Sequence, residues 1–351
     1  MLSQDQTVAE KVRDFYTEVA KKCEFTTNVN NYHLSDEHKE LVKKVHNETM
    51  RRYYGSGFMI PEKIEGVRIL DIGCGSGSYV FILSKLVGKD GHVVGIDIIP
   101  DLILLCKEYS RYHSEMWGYL APNFEFLCGN AETMAREFDF LPGSFDVIVS
   151  NGVFCLLGDK AKVFAEAYKL LKEGGEFLLS DVYAEQPAPE DCKDDLKMWN
   201  LGLTGSQVWP QLDSFAQAAG FTRPYLTMAG PIDVSEEYKT KVRGGRYCSA
   251  GNRLFKLPKG AHRGPAQVTY KGDIKGCEKT LKWDVSLTFE AGKPVDVDAE
   301  LATILFYSRF KTSFDFKDIP SAKSNRVQNP FTYIDEQTKK GNPVPFSYRV
   351  E

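Results

Sequence analysis

The stretch Ile69-Leu70-Asp71-Ile72-Gly73-Cys74-Gly75-Ser76-Gly77 decides the fold of this 351-residue chain. An apolar run ends in an acidic residue, three glycines follow at alternate positions, and an apolar stretch continues at 80–86. Glycines at such a turn let the backbone bend sharply and let a ligand approach bare main chain. A second apolar run, 93–96, ends in Asp97, 20 positions after Gly77, where a carboxylate is suited to bind ribose hydroxyls. The pattern predicts a strand–turn–helix unit that binds a nucleotide-like ligand.

The spacing of the glycines distinguishes two classes of ligand. It is G-x-G-x-G here, whereas the turns that bind dinucleotides have G-x-G-x-x-G. With Asp71 in front and Asp97 at the end of the next strand, the pattern resembles motifs I and II of class I S-adenosylmethionine methyltransferases. Segments 128–132, 144–151 and 171–181 follow in that family's order and resemble its adenine-contacting turn, its fourth strand and its fifth-strand unit.

The resemblance implies an α/β fold with a Rossmann-like methyltransferase sheet and S-adenosyl-L-methionine as the cofactor. Asp97 is expected to bind the ribose, the backbone of 73–77 to approach the methionine moiety, and 130–132 to contact the adenine. The residues that the motifs imply for cofactor binding are Asp71, Gly73, Gly75, Gly77, Asp97, Asn130, Ala131, Glu132 and Asn151.

Composition and charge limit the class of partner. Hydrophobic residues make up 42% of the chain, which supports packed cores, and the net charge is only −4. A net charge of this size gives no electrostatic reason to expect binding to nucleic acid or to an anionic membrane. No apolar run approaches 18 residues, and the N-terminus lacks the features of a secretion signal. We therefore expect a cytoplasmic protein with a small-molecule substrate, present as a monomer or weak homo-oligomer.

Cysteine and histidine are scattered rather than clustered. The eight cysteines form no C-x-x-C pair, and the six histidines do not alternate with them. The sequence therefore predicts no metal site and no disulfide framework, and it is consistent with a reducing compartment.

The organisation of the chain predicts three parts. Residues 1–60 form a helical N-terminal cap, with one helix over 8–19 and a second over 35–54. Residues 61–257 form the cofactor-binding core, with a substrate insertion at 183–209. Residues 258–351 form a small α+β C-terminal domain, with strands at 266–270 and 280–289 and a loosely ordered tail from Pro320.

Segments outside the cofactor motifs resemble arsenite methyltransferases. They are 52–57 before the core, 180–183 after the fifth strand, 246–256, and 264–308 in the C-terminal part, so the resemblance covers roughly residues 8–312. Members of this family bind As(III) through cysteine thiolates, because this soft centre prefers sulfur ligands.

The cysteines that would bind arsenic are missing. The family's positions are occupied here by Ser56, Gly152 and Gly202, with a further position near Asn30. A serine hydroxyl is a hard ligand and glycine offers none. Cys155 and Cys23 lie near these positions in the sequence, but a shift of three residues moves a side chain by roughly 10 Å.

Glycine at 152 and 202 widens the implied pocket, which favours an organic substrate. Aromatic residues flank the implied site, and the resemblance places Tyr54 beside the methyl group of the cofactor. Arg246 and Arg253 are candidates either to clamp a substrate carboxylate or to pair with acidic residues such as Asp181. The candidate catalytic and substrate-contacting residues are Tyr54, Asn151, Phe154, Tyr183, Trp199 and Arg246.

Three functions remain open from the sequence. The first is a methyltransferase that acts on a small soft nucleophile, for which we expect sulfur in a thiol, thiolate or thioether, because no residue stands at an obvious base position. The second is an arsenite methyltransferase with relocated cysteines. The third is a non-catalytic cofactor-binding protein, which the intact acidic and glycine motif residues disfavour.

Overall fold

The computed structural model describes residues 6–22, 34–55, 57–192, 194–342, 344 and 349–350. The helices of these residues are α1 (Val8–Lys22), α2 (Asp36–Val42), α3 (Asn47–Met50), α4 (Ser78–Val87), α5 (Pro100–Trp117), α6 (Met134–Glu137), α7 (Lys160–Leu170), α8 (Leu196–Asn200), α9 (Gln211–Ala219), α10 (Glu236–Lys241), α11 (Ala299–Tyr307) and α12 (Pro330–Lys339). The strands are β1 (Arg68–Ile72), β2 (His92–Asp97), β3 (Phe124–Cys128), β4 (Phe145–Asn151), β5 (Leu171–Ala184), β6 (Gln207–Val208), β7 (Tyr225–Pro231), β8 (Asp233–Val234), β9 (Tyr247–Phe255), β10 (Ala266–Tyr270), β11 (Thr280–Lys282), β12 (Thr288–Glu290), β13 (Pro294–Val297), β14 (Phe314–Asp318) and β15 (Arg349–Val350). Cys23, Asn30 and Ser56 lie outside the described residues.

The core is one twisted sheet with strand order β3-β2-β1-β4-β5-β9-β7, and β6 pairs with the end of β5. Strands β1 to β5 run parallel, whereas β9 is antiparallel to both of its neighbours. Apolar residues of β1, β2 and β4 are fully buried, as expected of parallel strands covered by helices on both faces. The predicted α/β fold with a Rossmann-like sheet is therefore confirmed.

The glycine turn after β1 has the backbone geometry that its sequence predicts. Gly73, Gly75 and Gly77 have φ values of +75°, +53° and +77°, which side chains other than glycine rarely adopt. Gly77 also permits close packing, because a Cβ there would lie 2.8 Å from Cys106 Sγ and 2.9 Å from the Phe126 ring. The turn directs the chain from the sheet edge into α4.

A helix in the N-terminal part is interrupted at a point that the spacing of apolar residues in the sequence does not predict. The single helix expected over 35–54 is two short helices, α2 and α3. His46 separates them, because its Nδ1 accepts the N–H of Glu48 and its own N–H donates to His113 Nε2. Upstream, α1 packs Val12 and Tyr16 against the start of α5, so this helix lies over the carboxyl edge of the sheet.

The C-terminal part differs from its prediction in two places. Residues 280–289 form the hairpin β11–β12 rather than one strand, because Asp284 Oδ1 accepts the N–H groups of Ser286 and Leu287 at the turn. The tail is not loosely ordered over 330–339, where α12 begins at the cap Asn329 and buries Phe331 in the main core. Strands β13, β10 and β14 form a separate antiparallel sheet.

A buried ionic network joins the core to this C-terminal part. Arg253 on β9 is 1% exposed and pairs with Glu176 at 2.7 Å and with Glu62 at 2.9 Å. Arg309 binds the other oxygen of Glu176, and the guanidinium of Arg253 lies 4.2 Å from the ring centroid of Trp283. Of the two roles that the sequence left open for Arg253, the structure shows pairing with acidic residues, and the partners are Glu176 and Glu62 rather than Asp181.

Candidate active site

A cavity opens at the carboxyl edge of the parallel strands, where ligands bind in open α/β sheets. It holds about 870 Å³ of space, part of which is continuous with solvent. Its floor contains Gly73, Gly75 and Asp97, and one end contains the turn 129–132. Its roof is formed by α1 and Tyr54, and its far wall by residues 151–153 and 156–158. Its position at this edge and its largely apolar lining are typical of a small-molecule or cofactor site.

Asp97 lies where a ribose-binding carboxylate is expected. The N–H of Gly75 donates to its Oδ2 at 2.8 Å, and the N–H of Ile99 donates to its Oδ1 at 2.9 Å. A carboxylate oxygen accepts more than one hydrogen bond, so both oxygens can accept further donors from a ligand. Burial raises the pKa of Asp97, and the backbone hydrogen bonds oppose that shift.

Asp71 provides a second acidic group beneath the glycine turn. It does not line the cavity, but its Oδ2 is buried and has no hydrogen-bond partner among the described residues. Burial, and then the charge of Asp97, raise its pKa well above the usual range. A buried acceptor without a donor is costly, and burial of this kind favours the neutral carboxyl.

These features fit S-adenosylmethionine. A Cβ added at Gly75 would meet nothing within 4 Å, so the backbone of the turn is open to a ligand. Asp97 can hold the ribose, and the cavity continues to Asn130, Ala131 and Glu132 at the adenine end. There the Asn130 side chain accepts the N–H of Glu132 at 2.9 Å, which fixes the turn.

Asn151 ends β4 and holds the segment above it. Its Nδ2 donates to the Tyr53 hydroxyl at 2.7 Å and to the Gly57 carbonyl at 2.6 Å. The backbone of Gly55 lies so close to the Asn151 side chain that a Cβ on Gly55 would be 2.9 Å from Asn151 Oδ1. Asn151 also lines the cavity, so its amide holds Tyr53 and Gly57 beside the ligand space.

Aromatic residues from three parts of the chain meet at the roof. The rings of Tyr16 and Tyr54 are 6.0 Å apart, and their hydroxyls are hydrogen bonded to each other. Tyr16 donates to the Asn200 carbonyl at 2.6 Å, and Trp199 Nε1 donates to the Leu156 carbonyl at 3.1 Å. Tyr16 and Tyr54 line the cavity, and the insertion contacts this roof through Asn200 and Trp199, neither of which lines the cavity. Burial raises the pKa of both tyrosines above the usual value for this side chain.

Four of the six predicted substrate residues do not line the cavity, and one of them is Trp199, whose indole N–H donates to the Leu156 carbonyl. The other three lie elsewhere. Phe154 is fully buried in the core beside Phe164, with ring centroids 5.0 Å apart. Tyr183 lies on β5 at a different cavity, and its hydroxyl accepts from Asn252. Arg246 is 45% exposed and pairs with Asp335 of α12 at 2.6 Å. Core packing, strand pairing and surface ion pairs account for the positions of these side chains, and their roles toward a substrate stay predictions.

Other residues that line the cavity belong to none of the cofactor motifs of the sequence. Ala9 and Val12 of α1 line the cavity together with Tyr16. Their spacing of three and four residues puts them on one helix face, which was the available signal. Arg52, which lies within the matched 52–57 segment, also lines the cavity. Gly77, by contrast, does not line it, and its packing explains the glycine.

The described residues at the missing-cysteine positions do not build a thiolate site. Gly152 has φ +70°, and a Cβ there would face the Gly55 Cα at 3.6 Å. A Cβ at Gly202 would lie 3.2 Å from the sulfur of Cys155, which is 2% exposed. Burial raises the pKa of that thiol well above the usual range. Among residues that the structure describes, no three histidine, cysteine or acidic side chains are grouped to hold a metal ion.

The sheet order, the glycine turn and the carboxylate that ends β2 define a class I S-adenosylmethionine-dependent methyltransferase. Residues 63–237 match the methyltransferase domain family, and residues 263–348 match the arsenite methyltransferase C-terminal domain. The chain belongs to the arsenite methyltransferase family. It is 41% identical over 307 residues to the arsenite methyltransferase of Rattus norvegicus, covering 86% of this chain and 83% of that protein.

Two further comparisons agree with this assignment. The arsenite methyltransferase of Aquipseudomonas alcaligenes is 36% identical over 283 residues, which cover 79% of this chain and 81% of that protein. The crystal structure of an arsenic(III) S-adenosylmethionine methyltransferase from Chlamydomonas reinhardtii is 30% identical, with a TM-score of 0.77. That match covers 84% of this chain and 99% of the other. Within the described residues, no helix is long and apolar enough to cross a membrane.

Proposed function

We propose that this methyltransferase transfers methyl to a small organic molecule through a soft nucleophile, the sulfur of a thiol, thiolate or thioether. The observation that carries the proposal is the composition of the cavity wall near Gly152. The described lining residues there are Tyr16, Tyr54, Val153 and Leu156, which are aromatic or apolar, and the amide of Asn151. Such a wall suits an organic acceptor, and it offers no thiolate for As(III).

The described residues of this wall near Gly152 include no obvious general base. No histidine or lysine is among the described residues that line the cavity. Burial raises the pKa of Tyr16 and Tyr54, so neither phenol is ionised near neutral pH. An acceptor that must lose a proton to the protein would react poorly here. A thioether or an already ionised thiolate needs no such transfer.

Catalysis at this site rests on alignment and on exclusion of water. S-adenosylmethionine, when bound, supplies a methyl group activated by its sulfonium. The roof formed by α1 shields the cavity, and Asn151 fixes the segment that carries Tyr54. Alignment of this kind reaches effective molarities of about 10⁵–10⁸ M. The face of the Tyr54 ring favours a nearby sulfonium by about 0.5–2 kcal/mol.

One observation favours methylation of arsenite as the second candidate. The sulfur of Cys155 lies beside Gly202, one of the positions where the family resemblance implies a cysteine. Family membership adds weight to this alternative. Against it stand the burial of that thiol and the lack of grouped ligands among the described side chains.

Methyl transfer to a panel of acceptors tests the proposal. Purified protein is incubated with S-adenosylmethionine and, separately, with small thiols, small thioethers and arsenite, and methylated products are measured by mass spectrometry. The proposal predicts product with at least one sulfur acceptor and none with arsenite. Methylation of arsenite alone would establish the second candidate instead.

Substitutions at Gly152 test whether the acceptor lies against this residue. At φ +70° both Gly152→Ala and Gly152→Cys are strained by about 1–2 kcal/mol, so both should lower the melting temperature alike. Only the cysteine places further atoms in the space near Tyr54. We expect Gly152→Cys to turn over the sulfur acceptor severalfold more slowly than Gly152→Ala, with equal affinity for S-adenosylmethionine. Equal turnover of the two variants would place the acceptor elsewhere.

A further inference from the structure

A second cavity lies between the sheet and the segment that leads into α12. It holds about 560 Å³ of space, part of which is continuous with solvent, and its described lining shares no residue with the cofactor cavity. Its polar groups come from Tyr183 of β5, Asn252 of β9, Asp213 of α9 and Gln328. The rest of its described wall is apolar or aromatic and includes Trp209, Leu212 and three prolines. An apolar wall with a few polar groups is typical of a small-molecule site.

Asp213 is the charged side chain in the described lining of this cavity. It makes no hydrogen bond or ion pair with another residue that the structure describes, and its Oδ1 is buried. An acceptor that is buried without a donor is costly. The last torsion of an aspartate side chain is soft, so either oxygen can turn towards a donor inside the cavity. An ammonium group would supply that donor together with the missing positive charge.

The other polar groups of the wall are neutral and leave acceptors for a ligand. Asn252 Nδ2 donates to the Tyr183 hydroxyl at 3.4 Å, and no described residue donates to Asn252 Oδ1. Burial raises the pKa of Tyr183 well above its usual range, so this phenol carries no charge near neutral pH. Trp209, whose backbone N–H donates to the Ala184 carbonyl at 3.2 Å, adds an indole ring of the kind that attracts cations. The wall therefore favours a cation and disfavours an anion.

We propose that this cavity binds a small organic ammonium ion, whose N–H groups contact Asp213 and whose apolar body lies against Trp209 and the prolines. The site is additional to the cofactor cavity, and it does not depend on the identity of the methyl acceptor. Asp213 also lies in the first turn of α9, where a negative charge is favourable towards the helix dipole whether or not a ligand binds. The experiment therefore includes Asp101, an exposed aspartate in the first turn of α5.

Calorimetry with three benzyl compounds tests the proposal. Benzylammonium has both the charge and the N–H donors, benzyltrimethylammonium has the charge alone, and benzyl alcohol is neutral. Each is titrated near neutral pH into the wild type, Asp213→Asn and the control Asp101→Asn, with S-adenosylmethionine at saturation so that the cofactor cavity is filled. The wild type and the control should bind benzylammonium about tenfold more tightly than either of the other compounds, because only benzylammonium makes a charged hydrogen bond. Asp213→Asn should lose this preference.

Equal binding of benzylammonium and benzyl alcohol by the wild type would overturn the proposal, and so would a preference that survives in folded Asp213→Asn. Binding of benzylammonium that is seen only without S-adenosylmethionine would place the probe in the cofactor cavity and would also overturn it. Thermal melting without ligand checks that each variant is folded. Where Asp213→Asn is not, Trp209→Leu replaces it and should bind benzylammonium severalfold more weakly than the wild type does. Unchanged affinity in that variant would contradict the site.

Discussion

Replacing Glu176 by glutamine is expected to destabilise the protein by about 3–5 kcal/mol, because it removes the charge that two buried guanidinium groups share. Arg253 and Arg309 both bind the carboxylate of Glu176, which is fully buried. Burial alone raises the pKa of Glu176, but the two arginines outweigh it, and its pKa lies below the usual range. The folded protein therefore contains an ionised carboxylate that glutamine cannot replace.

Denaturation in urea measures this loss of unfolding free energy, and Arg246→Met is the control variant. Arg246 also pairs with two acidic residues, Asp335 and Glu185, but it is 45% exposed. Exposed pairs contribute about 0–1 kcal/mol, so this variant should unfold close to the wild type. Similar losses in both variants would contradict the role given to the buried network.

Replacing Asp97 by alanine is expected to weaken binding of S-adenosylmethionine by about ten- to a hundredfold, the loss that follows when a charged hydrogen-bond acceptor is removed. The substitution also frees the N–H groups of Gly75 and Ile99, which loosens the glycine turn. Asp101→Ala is the matched control, because Asp101 is an exposed acidic residue in the first turn of α5. Calorimetry that shows unchanged affinity in a folded Asp97→Ala protein would contradict the assignment.

The parallel core could be predicted because its local signals agree with one another. The glycine turn, the acidic strand end at Asp97 and the apolar strands all specify the same strand–turn–helix units. Residues fixed by the turn itself, such as Gly73 and Gly75, consequently line the cavity as expected. In the segment from β1 to β2, the structure that the local sequence favours is therefore the same as the structure that the whole fold requires.

The substrate wall could not be predicted in the same way, because proximity in sequence does not specify the direction of a side chain. Phe154 and Tyr183 both follow motif segments, yet the first packs in the core and the second lies on a strand face away from the cavity. Arg246 is drawn to α12, a helix whose docking depends on long-range packing. Conversely, α1 forms the roof although it is distant in sequence from the sheet.

The most direct measurement of the central claim, that the cavity accepts an organic sulfur nucleophile and builds no thiolate site for As(III), is a titration of the protein with arsenite. Difference absorbance and melting temperature are recorded together, since a tight ligand raises stability by mass action. The account predicts no thiolate–arsenic absorbance and no rise in melting temperature. A micromolar dissociation constant that disappears in Cys155→Ser would contradict this claim and would show that Cys155 binds As(III).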